Sequence, residues 1–105
     1  GGGLYLEAVT VTMEDTVVSG NQAAYGGGTF LNAATSLTVS GGGFTENSAQ
    51  VFGGGVDVAG DCLFTATETA IDGNSPHDIY VNDGNSYDYG GSVSVHCDES
   101  ACSEK

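Results

Sequence analysis

Few side chains in this sequence can move a proton at neutral pH. There are two histidines, His77 and His96, a single lysine, Lys105, and no arginine, against fourteen aspartates and glutamates, for a formal net charge of −13. Removing a proton from a sugar acid beside calcium needs a positioned base. Hydrolysing a glycosidic bond needs two carboxyl groups held on one face at a fixed separation. His77 follows Pro76 at a corner and His96 ends a strand, where solvated side chains are expected, and Lys105 lies beyond the last repeat. The acids do not stack in pairs: Asp57 stands beside the positions of Phe30 and Tyr80, and Glu14 beside Ser40 and Thr67. The pattern predicts a chain that is not an enzyme and carries no cofactor.

Three other groups of residues have chemical potential. The stretch 82–88, Asn-Asp-Gly-Asn-Ser-Tyr-Asp, gathers oxygen ligands around a glycine but lacks the closing bidentate glutamate of a calcium loop. A plain turn is the better reading, and no metal ligand is assigned. Thr12, Thr38, Thr65 and Ser94 fall in one outward column, flanked by Thr10, Ser36, Ser40, Thr67 and Ser92. Strand propensity on a wet face explains such hydroxyls, and the same array suits a glycan- or ice-binding face or O-linked sugar. No Asn-x-Ser/Thr sequon is present. Three cysteines cannot all pair within one chain. Cys62 falls in the column of Val9 and Thr35, whereas Cys97 is expected about six strand positions further along, roughly 20 Å away. A Cys97–Cys102 disulfide is therefore expected, with Cys62 a small core residue and a Cys62–Cys102 bridge as the alternative.

The elements that position these residues come from a repeat. Glycine triplets start at Gly1, Gly26 and Gly53, and Asn21, Asn47 and Asn74 mark a corner before each next triplet or its expected place, so two markers share a period of 25 to 27 residues. Apolar residues alternate with polar ones within each repeat, which is the period of a strand. Leu4 and Leu6, Thr29 and Leu31, Val56 and Val58, and Ile79 and Val81 point inward after the triplets. A second strand stacks Val11 and Met13 on Leu37 and Val39, then on Phe64 and Ala66, then on Val93 and Val95, and a short third strand gives Val18, Phe44 and Ile71. Stacked coils place equivalent side chains about 4.8 Å apart in ladders. The expected architecture is all-β, a right-handed parallel β-helix of three to four coils spanning residues 1–97 (coils 1–25, 26–52, 53–78 and 79–97, the last a terminal cap), with a tail over 98–105. Glycines at corners and a ladder of Asn21, Asn47 and Asn74 belong to that architecture rather than to a phosphate cradle, because no Gly-Lys-Ser/Thr ending follows.

The Gly-Gly-Gly-apolar-x-apolar openings, the Thr-rich strand and the corners Gly20-Asn21-Gln22-Ala23 and Glu46-Asn47-Ser48-Ala49 resemble the coils of pectin-lyase-like β-helix proteins. The nearest likeness is to the polymorphic outer-membrane-protein type of repeat, which pairs a Gly-Gly-hydrophobic motif with Phe-x-x-Asn. Phe44-Thr45-Glu46-Asn47 fits the second motif, and Val18 to Asn21 and Ile71 to Asn74 keep its spacing. The resemblance covers Gly1 to about Val81 and implies secretion and surface display.

Charge narrows the partners. A surface near −13 repels phosphate backbones and anionic lipid, which excludes nucleic acid and electrostatic membrane docking. No apolar run is long enough for a membrane helix. The sequence opens inside a repeat, which suggests a signal sequence and further coils upstream. Together these features predict a non-catalytic extracellular structural or adhesive module in a fibre, sheath or longer surface protein. Self-association or stacking on upstream coils would then be its contact, and a carbohydrate- or ice-binding domain is the alternative.

Overall fold

The computed structural model describes residues 1–104, among which there are strands and no helix; Lys105 lies outside the described residues. The first coil holds β1 (Leu4–Glu7), β2 (Thr10–Glu14), β3 (Val17–Ser19) and β4 (Gln22–Tyr25). The second repeats it with β5 (Thr29–Asn32), β6 (Ser36–Ser40), β7 (Gly43–Thr45) and β8 (Ser48–Phe52). The third has β9 (Val56–Val58) and a ten-residue β10 (Leu63–Asp72) that spans the equivalents of β6 and β7. After it come β11 (Ile79–Val81), β12 (Ser86–Tyr87), β13 (Gly91–Cys97) and β14 (Cys102–Glu104). The coils stack in parallel register: Leu6, Leu31, Val58 and Val81 form one column, and Val11, Leu37 and Phe64 another. The fold is a β-solenoid of about three turns.

Local sequence explains the coil. In β6 the alternation Ser-Leu-Thr-Val-Ser buries Leu37 and Val39 completely and leaves Thr38 and Ser40 exposed. The triplets divide two tasks. Gly26 and Gly53 take φ of +59° and +63°, closed to most side chains, and turn the corner after β4 and β8. The third glycines permit close approach instead: a Cβ on Gly28 would meet the Gly55 carbonyl oxygen at 2.6 Å and the Asn47 amide at 3.0 Å. Inside, Leu31, Leu37, Phe44, Val56, Phe64, Ile71 and Ile79 are fully buried in one continuous core. Each such side chain contributes about 1.5–3 kcal/mol before the entropy of ordering is subtracted.

The expected fourth coil over 79–97 does not form as a coil. Its first strand, β11, stays parallel beneath β9, but the chain then reverses. β12 returns antiparallel to β11, β13 lies antiparallel on β10, and β14 antiparallel on β13. Val95 sits opposite Ala66 as the column predicts, whereas Cys97, not Val93, faces Phe64, and Val93 pairs with Thr69. The reversal has a local cause. After β11, where the third coil runs on through Ala59 to Cys62 toward its long strand, Asn82 to Asn85 makes a tight turn instead, with Gly84 at φ +94° and a Gly84 N–H to Val81 C=O bond of 3.0 Å. Gly90 and Gly91, at φ +56° and +137°, bend the chain back onto β10. Alternation reports which face a residue takes and not which way its strand runs, so it could not foresee the change.

The same reversal corrects the spacing argument for the cysteines. Cys97 faces Phe64, two residues from Cys62, so it is not remote from that thiol. The bridge is nonetheless Cys97–Cys102, because these residues sit directly opposite each other on β13 and β14 with Cα atoms 3.9 Å apart. Cys62 is free and buried, and burial pushes its thiol pKa up.

Candidate functional site

The outer face of the sheet β1-β5-β9-β11 carries Tyr5, Phe30, Asp57 and Tyr80 on successive rungs. Two further rings reach the same face from the corner strands: Tyr25 ends β4 and Phe52 ends β8, each just before a glycine. The rings form a connected wall. Tyr5 stacks on Phe30 at 5.5 Å between centroids, Tyr25 meets Phe30 edge-on at 6.2 Å, Tyr25 meets Phe52 at 6.0 Å, and Phe52 lies flat on Tyr80 at 4.2 Å and 8°. His77 extends the wall by stacking on Tyr80 at 5.7 Å.

One rung of this wall holds a short side chain. Asp57 stands between Phe30 and Tyr80, so its position is a notch between large rings, and Tyr25 and Phe52 close the side. The result is a cleft of about 270 Å³ with Ala59 and Asn82 at its margin. Asp57 is only 4% exposed, and its carboxylate oxygens are not among the fully enclosed atoms without a hydrogen-bond partner, which are Thr29 Oγ1 and His77 Nδ1 among the described residues, so they open into the cleft. Burial pushes its pKa up to about 6 against the opposing pull of the Gly1 ammonium. An acceptor with unused lone pairs, set in an apolar concave surface, is the usual composition of a small-molecule site. Rings of this kind present flat apolar faces, and a carboxylate can accept two or more hydroxyl hydrogen bonds. The arrangement can hold a flat polyhydroxylated ligand. Asp57 is the one carboxylate lining the cleft, whereas glycosidic cleavage uses two.

The residues singled out by sequence lie elsewhere. Thr12, Thr38 and Thr65 do form a column on the outer face of β2, β6 and β10. Ser94 does not continue it: His96 pairs with Thr65, its Nδ1 3.1 Å from the Thr65 hydroxyl, and the Ser94 hydroxyl accepts the Glu68 N–H at 3.3 Å. The antiparallel course of β13 causes that displacement. In the 82–88 stretch Asp83 accepts both the backbone N–H and the side-chain amide of Asn85, and Asp88 accepts the Asp78 N–H, so these carboxylates serve turns. No group of three or more His, Cys, Asp or Glu side chains is placed to hold a metal ion among the described residues.

Asn21, Asn47 and Asn74 form a polarised ladder along the corner. Asn21 donates through its backbone N–H and Nδ2 to Asn47 Oδ1, at 3.0 and 3.1 Å, and Asn47 donates in the same way to Asn74 Oδ1. The ladder ends on Asp78, a buried acid whose Oδ1 accepts Asn74 Nδ2 at 3.0 Å while Oδ2 accepts the Tyr89 N–H at 2.8 Å. The sequence columns place Asp57 next to Phe30 and Tyr80, as the structure has it, but a search for acid pairs passes over it. The signal in the sequence is the aromatic residue directly before a glycine triplet, in Tyr25-Gly26 and Phe52-Gly53.

No family model, curated protein or solved structure matches this chain. Among the described residues no helix is long and apolar enough to cross a membrane.

Proposed function

We propose that this chain is a non-catalytic adhesive module of an extracellular or surface protein, and that it holds neutral carbohydrate in the cleft around Asp57. The observation that carries the reading is a nearly buried carboxylate that opens into an apolar cleft walled by aromatic rings. Its oxygens open into the cleft, where ligand hydroxyls can replace the water that solvates them. The ligand is uncharged or weakly cationic, because a net charge of −13 and the Asp57 carboxylate both repel uronates and sulfated sugars.

Surface display rests on the likeness of the coils to pectin-lyase-like proteins and to the polymorphic outer-membrane-protein type of repeat. The packing gives that motif a physical content: Phe44 of Phe-x-x-Asn is fully buried at the corner and Asn47 occupies the ladder. Isothermal titration calorimetry with cellohexaose, chitohexaose and polygalacturonate tests the binding. Heat with either neutral oligosaccharide and none with polygalacturonate supports the proposal. No heat with any of the three, at millimolar ligand, removes it.

A further inference from the structure

The cleft around Asp57 suits a positive group even better than a hydroxyl. Four rings, those of Tyr25, Phe30, Phe52 and Tyr80, line it together with the one carboxylate, and no basic side chain does. The chain has no arginine, and its single lysine is Lys105. The Gly1 ammonium pulls on Asp57, and His77 stacks on Tyr80, but neither lines the cleft. A carboxylate that is 4% exposed therefore faces the cleft with no cationic partner from the chain inside it. The rings act in the same direction as the carboxylate. Aromatic faces carry the negative part of a quadrupole and attract cations, most strongly where water is partly excluded. The surrounding net charge of −13 adds a field that concentrates cations at a concave, low-dielectric site.

We infer that the cleft selects a sugar carrying a free amine, with the ammonium group on the Asp57 carboxylate and the pyranose ring against the aromatic wall. The inference rests on the carbohydrate reading above and names the sugar class, an unacetylated hexosamine unit within an otherwise neutral saccharide. Three features select it. The cleft of about 270 Å³ lies below the range of about 300–1,000 Å³ usual for drug-sized ligands, which suits a single sugar ring. A primary ammonium brings three N–H donors to a carboxylate that accepts on both oxygens, whereas a trimethylammonium group brings charge and no donor. A hydroxyl or an N-acetyl group supplies only a neutral donor, and a bond between two charged partners is roughly twice as strong as one between neutral partners. Tyr25 and Tyr80 add hydroxyls that can meet those of the sugar.

The test is an NMR titration of the full chain near neutral pH, where a carboxyl group of value about 6 is largely ionised. The probes are cellobiose, the β-linked glucosamine dimer that replaces one hydroxyl on each ring by an ammonium, and tetramethylammonium. The glucosamine dimer should shift the amides of Tyr25, Phe30, Phe52, Asp57 and Tyr80 and bind at least about tenfold more tightly than either other probe. Asp57→Asn leaves the remaining acidic surface in place and should bring the two disaccharides to about equal affinity. Equal affinity in the wild-type chain overturns the inference and leaves the carbohydrate reading standing. A preference that survives in Asp57→Asn overturns it as well, because surface charge would then be the source. Tetramethylammonium binding as tightly as the glucosamine dimer overturns it in favour of a site for bare cations. Absence of shifts with both disaccharides, in a chain that still binds cellohexaose, overturns the inference alone; absence of binding by all three sugars removes the carbohydrate reading with it.

Discussion

Replacing Asp57 by asparagine should move stability and binding in opposite directions. The carboxyl has its ordinary value near 3.8 in the unfolded chain and about 6 in the fold, a difference worth about 3 kcal/mol against ionisation. The cleft opens to solvent, which screens part of this, so about 1–2 kcal/mol is the expected net penalty. Because the folded value is the higher one, the contribution of Asp57 to stability is fully present below about pH 4 and is lost as pH rises through about 6. Asp57→Asn cannot ionise and should escape the loss. At pH 7.5 it should unfold about 1–2 kcal/mol later in urea than wild type, and at pH 3.5 the two should agree. Its affinity for a neutral oligosaccharide should fall at least tenfold, because hydrogen bonds to a charged acceptor contribute roughly 1.5–3 kcal/mol. A variant less stable at pH 7.5 would refute the burial penalty on the Asp57 carboxylate, and undiminished binding would refute its role as ligand acceptor.

Three further substitutions test the packing. Asn47→Ala removes a fully buried side chain that bonds Val18 O, Asn74 and Asn21, and should cost roughly 3–4 kcal/mol in urea denaturation; a loss under about 1 kcal/mol would mean that the ladder is not a supporting element. Thr29→Val replaces a fully buried hydroxyl with no partner by a methyl of similar shape, and should raise stability by roughly 1–2 kcal/mol, measured as a higher melting temperature. Leu37→Asp places a charge between Val11 and Phe64 in the core and should abolish folding, seen as loss of the β-sheet circular dichroism signal; an unchanged melting curve would contradict the register.

The legible part of the fold is the part that repeats. Leu6, Leu31 and Val58, or Val18, Phe44 and Ile71, stack as the period requires because a fixed coil length and a two-residue alternation together determine both rung and face. The illegible part begins where the repeat stops. Nothing in the alternation of Val93, Val95 and Cys97 encodes strand direction, so a parallel reading gives Ser94 the place that His96 takes and sets Cys97 far from Cys62. The cleft was half visible. The rung sequence Tyr5, Phe30, Asp57, Tyr80 follows from the period, but Tyr25 and Phe52 reach that face only because the glycines after them fold the corner back over the sheet.

The binding of neutral carbohydrate at Asp57 is tested most directly by following backbone amide shifts while cellohexaose or chitohexaose is added to the wild-type chain. The expected result is saturable shifts confined to Tyr25, Phe30, Phe52, Asp57 and Tyr80, and their loss in Tyr80→Ala, whose ring stacks at 4.2 Å on Phe52. Shifts centred instead on Thr12, Thr38 and Thr65, or none at millimolar ligand, would contradict it.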